Sequence, residues 1–143
     1  MVRLPASLVV RADEIRGHDG SPYMERWFVV ESKSLTVRYH HLLASDSDRD
    51  LHDHPWDFVS LILEGSYVEE TPAGEQRFSA GDVVVHRAND LHRLQLLDGP
   101  VWTYVSTGPF VKTWGFQTPS GWVPWREYER AGSSQRAGSC RQW

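Results

Sequence analysis

The chain has 143 residues and a formal net charge of −4, from 15 basic and 19 acidic side chains, so it suits one domain and offers no broad positive field for a nucleic-acid backbone. With 40% hydrophobic and 24% charged residues the composition is that of an ordinary globular protein, and no apolar run approaches the roughly 20 residues that cross a bilayer. The apolar patch at 8–10 is followed at once by acidic residues and does not read as a signal peptide, so the expectation is a cytoplasmic protein with neither nucleic-acid nor membrane partners.

Residues 1–22 read as a polar lead-in with turn chemistry at Gly17, Gly20 and Pro22, and with room for a short helical turn near 12–16. From Arg26 the pattern becomes β-rich. Runs of branched and aromatic residues at 27–31 and 35–43 read as strands, and the polar stretch 45–50 as a loop. Residues 56–63, 66–71, 76–79, 82–86, 92–97, 101–106 and 110–116 continue the series, with a polar loop at 87–91. About ten short strands punctuated by Gly, Pro or Asp every 8–12 residues predict an all-β sandwich or barrel over 23–130. The small, polar run at 131–143 is expected to be a flexible tail, and its single cysteine, Cys140, has no disulfide partner and receives no role.

The chemistry starts with the histidines. His52 and His54 are two apart, so on a strand they point to the same face and their imidazoles can converge on one ion. His92 opens a later strand after a glycine-led one at 81–86, and supplies a third nitrogen. Three protein ligands leave coordination positions open for water or substrate, and imidazole suits Fe, Mn, Ni, Co or Zn.

These segments resemble the two motifs of the cupin superfamily. His52 and His54 match the paired histidines, Gly65 the closing glycine, and Gly81 and His92 the two ends of the second motif. The resemblance covers roughly residues 35–107 and implies a jelly-roll-like double-stranded β-helix. The family's carboxylate ligand falls at position 58 or 59, where this chain has Phe58 and Val59, and Asp57 lies one residue early. Strict alternation turns Asp57 outward, whereas a bulge at Pro55 would turn it in. The ligand set is therefore three histidines with water, or these and Asp57. Arg87 and Asn89 replace a proline and a glycine of the second motif, and Asn89 tolerates the left-handed geometry that the glycine would supply. The chain is also similar to small bacterial and phage cupins of unassigned activity that share HDHPW and a late WGF…GW-PW stretch, here Trp114–Gly115–Phe116 and Gly121–Trp122–Val123–Pro124–Trp125.

Other residues have two readings each. Arg38 and His40 share one face of their strand, either a polar lumen wall for an anionic or hydroxylated substrate or an exposed strip, and only one of His40 and His41 can face inward. Tyr67 and Glu69 also share a face. If it is the inner one, Glu69 orients a ligand histidine or acts as a base; otherwise Glu69 and Glu70 are a solvated pair. Trp56 falls on the inner face beside the histidines and is a candidate substrate contact. The late tryptophans staple the chain's return across the barrel rather than line a mouth.

The resulting expectation is a metal-dependent enzyme acting on a small polar molecule, with Fe(II) the first choice of ion, working as a dioxygenase or as a Lewis-acid isomerase or lyase. Its alternatives are a metal-free epimerase-like cupin, with Tyr67 and Asp57 recruited beside a histidine, and a binding module without catalysis. The resemblance also implies homodimers through edge strands or swapped N-terminal strands.

Overall fold

In the computed structural model, which describes residues 2–17 and 19–131, a 3-10 turn at Ala6–Leu8 leads into twelve strands. These are β1 (Arg11–Arg16), β2 (Pro22–Glu31), β3 (Thr36–Leu42), β4 (Leu51–His52), β5 (Phe58–Glu64), β6 (Ser66–Thr71), β7 (Gly74–Ser79), β8 (Val83–His86), β9 (Arg93–Leu96), β10 (Val101–Thr107), β11 (Gly115–Thr118) and β12 (Gly121–Pro124). The helix α1 (Trp125–Ala131) follows. Of the tail expected over 131–143, Ala131 ends α1, and residues 132–143, Cys140 among them, lie outside the described residues.

One face of the barrel is a six-stranded antiparallel sheet in the order β1-β2-β3-β10-β5-β8. The other consists of two three-stranded sheets, β7-β6-β9 and β12-β11-β4. A single bridge joins these two: His52 N–H donates to His92 O (3.0 Å) and His92 N–H to His52 O (2.9 Å). Two of the candidate ligands thus supply the backbone bonds that close the second face. The all-β, jelly-roll-like expectation agrees with this architecture.

Alternation places the core. Along β10 every second residue is buried, from Val101 to Thr107, as period-2 patterning requires of a strand with one face inward. Ile15, Met24, Leu42, Ile62, Tyr67 and Val101 form the main apolar cluster, and Trp56, Phe58 and Val105 a second one. At Gly65 the β5–β6 turn needs φ +87°, and a Cβ there would lie 2.7 Å from Pro100 O, so the closing glycine of the first motif is required by both conformation and space.

The lead-in is more structured than its composition suggests. The helical turn expected at 12–16 is strand: β1 pairs with β2 of its own chain, from Arg11 opposite Phe28 to Ile15 opposite Met24, and buries Ile15. Five residues cannot repay helix nucleation, whereas an edge pairing satisfies their backbone groups immediately. The strand expected over 110–116 begins only at Gly115, and Phe110 and Val111 are exposed. Helix α1, unanticipated from the sequence, is held where Tyr128 stacks on Phe116 (3.8 Å between centroids) and donates to Asp50 Oδ2 (3.0 Å). No helix among the described residues is long and apolar enough to cross a membrane.

Candidate metal centre

His52, His54 and His92 come together as the spacing predicts. All three are buried, their ring centroids lie 4.8–5.1 Å apart, and each offers a nitrogen within 4.8 Å of the others. Burial drives the His52 imidazolium down to about 4 and that of His54 well below its ordinary value, the neighbouring histidines adding to the effect. At neutral pH both are therefore neutral, the form that ligates metal.

Glu69 settles the state of the third. Its Oε2 accepts from His92 Nδ1 and from His86 Nε2, each at 2.8 Å. Burial alone would raise this carboxyl, but the hydrogen bonds from His86 and His92 prevail and hold it down to about 2. An ionised carboxylate only accepts, so His92 Nδ1 carries a proton toward Glu69, and Nε2 is the nitrogen left for a ligand. A carboxylate fixing the tautomer of a ligand histidine is the usual outer support of a metal site. His86 was not singled out by the sequence reading. It lies between Glu69 and Asp90 (3.1 Å), and these hydrogen bonds raise its pKa.

His40 is the lumen-facing member of its pair; His41 faces outward, stacks on Trp102 and bonds Glu25 (2.9 Å). His40 lines the same cavity as the three histidines, and its buried Nε2 has no hydrogen-bond partner. Burial first, then Arg38 and Arg26, keeps it neutral. Tyr67 lines the cavity too, and burial followed by the nearby Glu69 charge pushes its phenol upward, so that it stays protonated and can donate a hydrogen bond. The cavity is about 60 Å³, room for on the order of two waters.

Three expectations need correction. Asp57 is no ligand: its side chain is half exposed and its Oδ1 accepts from Ala88 N–H (2.8 Å), with Arg87 beside it (3.5 Å). No bulge reverses the alternation after Pro55, so Trp56 and Phe58 point in and Asp57 points out, where it ties down the 87–91 loop. Asn89 is not left-handed, since no described non-glycine residue has positive φ. The loop turns instead through Asp90, whose N–H donates to Arg87 O (3.0 Å) while its Oδ2 accepts from Arg87 N–H (2.9 Å). Arg38 is buried, as the lumen reading requires, but it does not line the cavity that holds His40; it borders a separate cleft. Trp56 stacks on His54 (5.3 Å) and forms part of the wall of both.

The late tryptophans pack as staples. Asp53, between the paired histidines, points away from them and accepts from Gly115 N–H (2.8 Å), Trp122 Nε1 (3.0 Å) and the Lys112 ammonium. Trp114 stacks on Trp125. A Cβ on Gly115 would meet Val123 O at 2.2 Å, so the glycine of the WGF stretch is sterically required. Asp46 was read only as loop, yet it lines the cavity, accepts from Leu94 N–H (2.8 Å) and bonds the Tyr23 hydroxyl. The alternation of Asp46 and Asp48, both buried, was the available signal.

No family model and no curated protein sequence matches this chain. Solved structures do. The chain is similar to iron(II) HppE with a TM-score of 0.58 at 14% identity, over 75% of this chain and 60% of that one. A double-stranded β-helix protein from Klebsiella pneumoniae aligns with a TM-score of 0.53 at 15% identity, covering 66% of this chain and 84% of its own. An RmlC-like cupin from Shewanella frigidimarina aligns with a TM-score of 0.55 at 14% identity, covering 74% and 88%. The protein has the cupin fold. At these identities the likeness concerns the barrel, and the chain spans under two thirds of HppE. In this barrel the imidazole cluster sits on β4, the residues just after it and the residue just before β9.

Proposed function

We propose that this cupin is a metal-dependent enzyme that binds one divalent ion on His52, His54 and His92 and acts on a small polar molecule, anionic or hydroxylated. The observation that carries the reading is the convergence of three buried imidazoles, two of them kept neutral by burial and the third oriented through its Nδ1 by Glu69. Three neutral ligands leave the ion its full positive charge, and that favours an oxygen-rich substrate. The similarity to iron(II) HppE favours Fe(II), though imidazole donors also accept Mn, Co, Ni and Zn. When bound, the ion would supply a Lewis-acid centre, usable for isomerase or lyase chemistry or for dioxygen chemistry. The chain itself contributes the unprotonated His40 Nε2 as a hydrogen-bond acceptor, the Tyr67 hydroxyl as a hydrogen-bond donor and Trp56 as an apolar wall that excludes water.

The test is elemental analysis of protein purified without added metal. One equivalent of a first-row ion in the wild type, with loss of stoichiometric metal in both His52→Ala and His92→Ala, is the expected result. Full metal content in both variants overturns the reading. A metal-free reading has one observation in its favour, the His92–Glu69 dyad, which could abstract a proton directly. Turnover that survives complete chelation would select it. The carboxylate its epimerase-like form required, Asp57, is outside the cavity.

A further inference from the structure

Beyond Trp56 from the histidines lies a cleft of about 320 Å³ lined by four cations, Arg11, Arg26, Lys33 and Arg38, and two carboxylates, Asp13 and Glu31. Sheet register builds it. Arg11, Phe28, Arg38 and Val105 stand opposite one another across four strands, and Asp13, Arg26, His40 and Thr103 form the next row.

The two acids are already taken. Arg26 reaches Asp13 through Nε (2.8 Å) and Nη2 (2.7 Å), and Arg11 holds Glu31 through Nε (2.9 Å) and Nη2 (2.6 Å). Arg38 has no such partner. It is 3% exposed, and among the described residues its guanidinium bonds only the Thr107 hydroxyl (3.2 Å) and its Nε meets no acceptor. Phe28 (5.3 Å) and Trp56 (5.0 Å) lie against the group and restrict it without offering an acceptor to its edge. Burial and the neighbouring Arg26 pull its pKa only to about 10, so the charge persists at neutral pH. A buried, charged, fork-shaped donor without an anion is costly in a folded protein, and chains that keep one commonly do so for a ligand.

We propose that this cleft is an anion-binding site, distinct from the histidine cavity, in which Arg38 receives a carboxylate or phosphate group, with the Thr107 hydroxyl beside it. The surplus of cations over acids attracts the ligand, and the aromatic walls present the guanidinium edge to two oxygens at once. The proposal does not depend on a metal at the histidines, because no residue that would hold the ion borders the cleft.

Isothermal titration calorimetry of metal-free protein, with inorganic phosphate and with succinate as separate probes, tests it. Saturable one-to-one binding of at least one probe is expected, and which one binds identifies the ligand's head group. Arg38→Met should weaken that binding by about tenfold or more, as loss of a charged hydrogen bond does, while melting at or above the wild-type temperature in anion-free buffer. Arg77→Met, at an exposed arginine of β7, should leave it unchanged. Should Arg38→Met not fold, Arg38→Lys serves: it keeps the charge, lacks the fork and should bind several-fold more weakly. No saturable binding by the wild type, or equal affinity in the Arg38 variant, overturns the proposal.

Discussion

The run from His52 to Phe58 has two sides, and they are put to different uses. Inward it presents His52, His54, Trp56 and Phe58, a buried imidazole and aromatic surface on the cavity. Outward it presents Asp53, buried under Lys112, Gly115 and Trp122, and Asp57, half exposed against the 87–91 loop. The inner side keeps its imidazoles uncharged, because burial penalises the imidazolium and a histidine sheds that charge by losing a proton. The outer side gives its two carboxylates donors: Gly115, Trp122 and Lys112 for Asp53, and the Ala88 N–H for Asp57. The same few residues thus carry the candidate chemistry on one face and hold the barrel's later strands on the other.

The largest effect is expected outside. Asp53→Ala removes the acceptor of two N–H groups and the partner of Lys112, and should destabilise the fold by about 3–5 kcal/mol, the usual result of leaving one half of a buried pair. Chemical denaturation measures it; a cost below 1 kcal/mol would mean that the late strands are held by tryptophan packing alone. Inside, metal-free protein should lose stability as the pH falls. His52 is protonated in the unfolded chain below about 6.5 but in the folded chain only below about 4, so the unfolded state binds the extra proton between those values. The loss should be fully absent above pH 6.5, grow down to pH 4 and amount to about 3 kcal/mol from this residue. A flat stability profile over that window would show that the imidazoles are solvated.

Glu69→Gln comes next. A glutamine can donate as well as accept, so it no longer dictates the His92 tautomer. Metal affinity should fall by about 10- to 100-fold, read by competition with a chromophoric chelator, while the circular dichroism spectrum stays that of the wild type. The smallest effect should come from Asp57→Asn, which costs about 1 kcal/mol or less through the Ala88 hydrogen bond and leaves metal stoichiometry unchanged. A drop in metal content there would return Asp57 to the ligand set.

Much of this was legible in the residues. The spacing of His52 and His54 puts two nitrogens on one face whatever the rest of the chain does, and the strand series with its glycine turns determines an all-β sandwich or barrel, of which the resemblance selects the barrel. Alternation also decides that His40 and His41 diverge and that Tyr67 and Glu69 travel together. Less was legible where composition misleads. A charged lead-in became β1 because an edge strand needs few apolar residues, and Asp46 entered the cavity wall from a stretch that looks like solvent-exposed loop.

The sequence by itself determined an all-β chain and the common face of His52 and His54, because both depend on local rules: the period of a strand and the conformations open to glycine. That His92 joins them takes the long-range His52–His92 bridge. Only the tertiary structure decided that Glu69 meets His92, that Asp57 stays outside and that Arg38 serves a cleft apart from His40. Those depend on which strands neighbour one another and in what register. That register is shifted by irregularities between Phe28 and Val30 and between Trp102 and Thr103. No single strand records the register, since it is set by long-range pairing across the whole sheet.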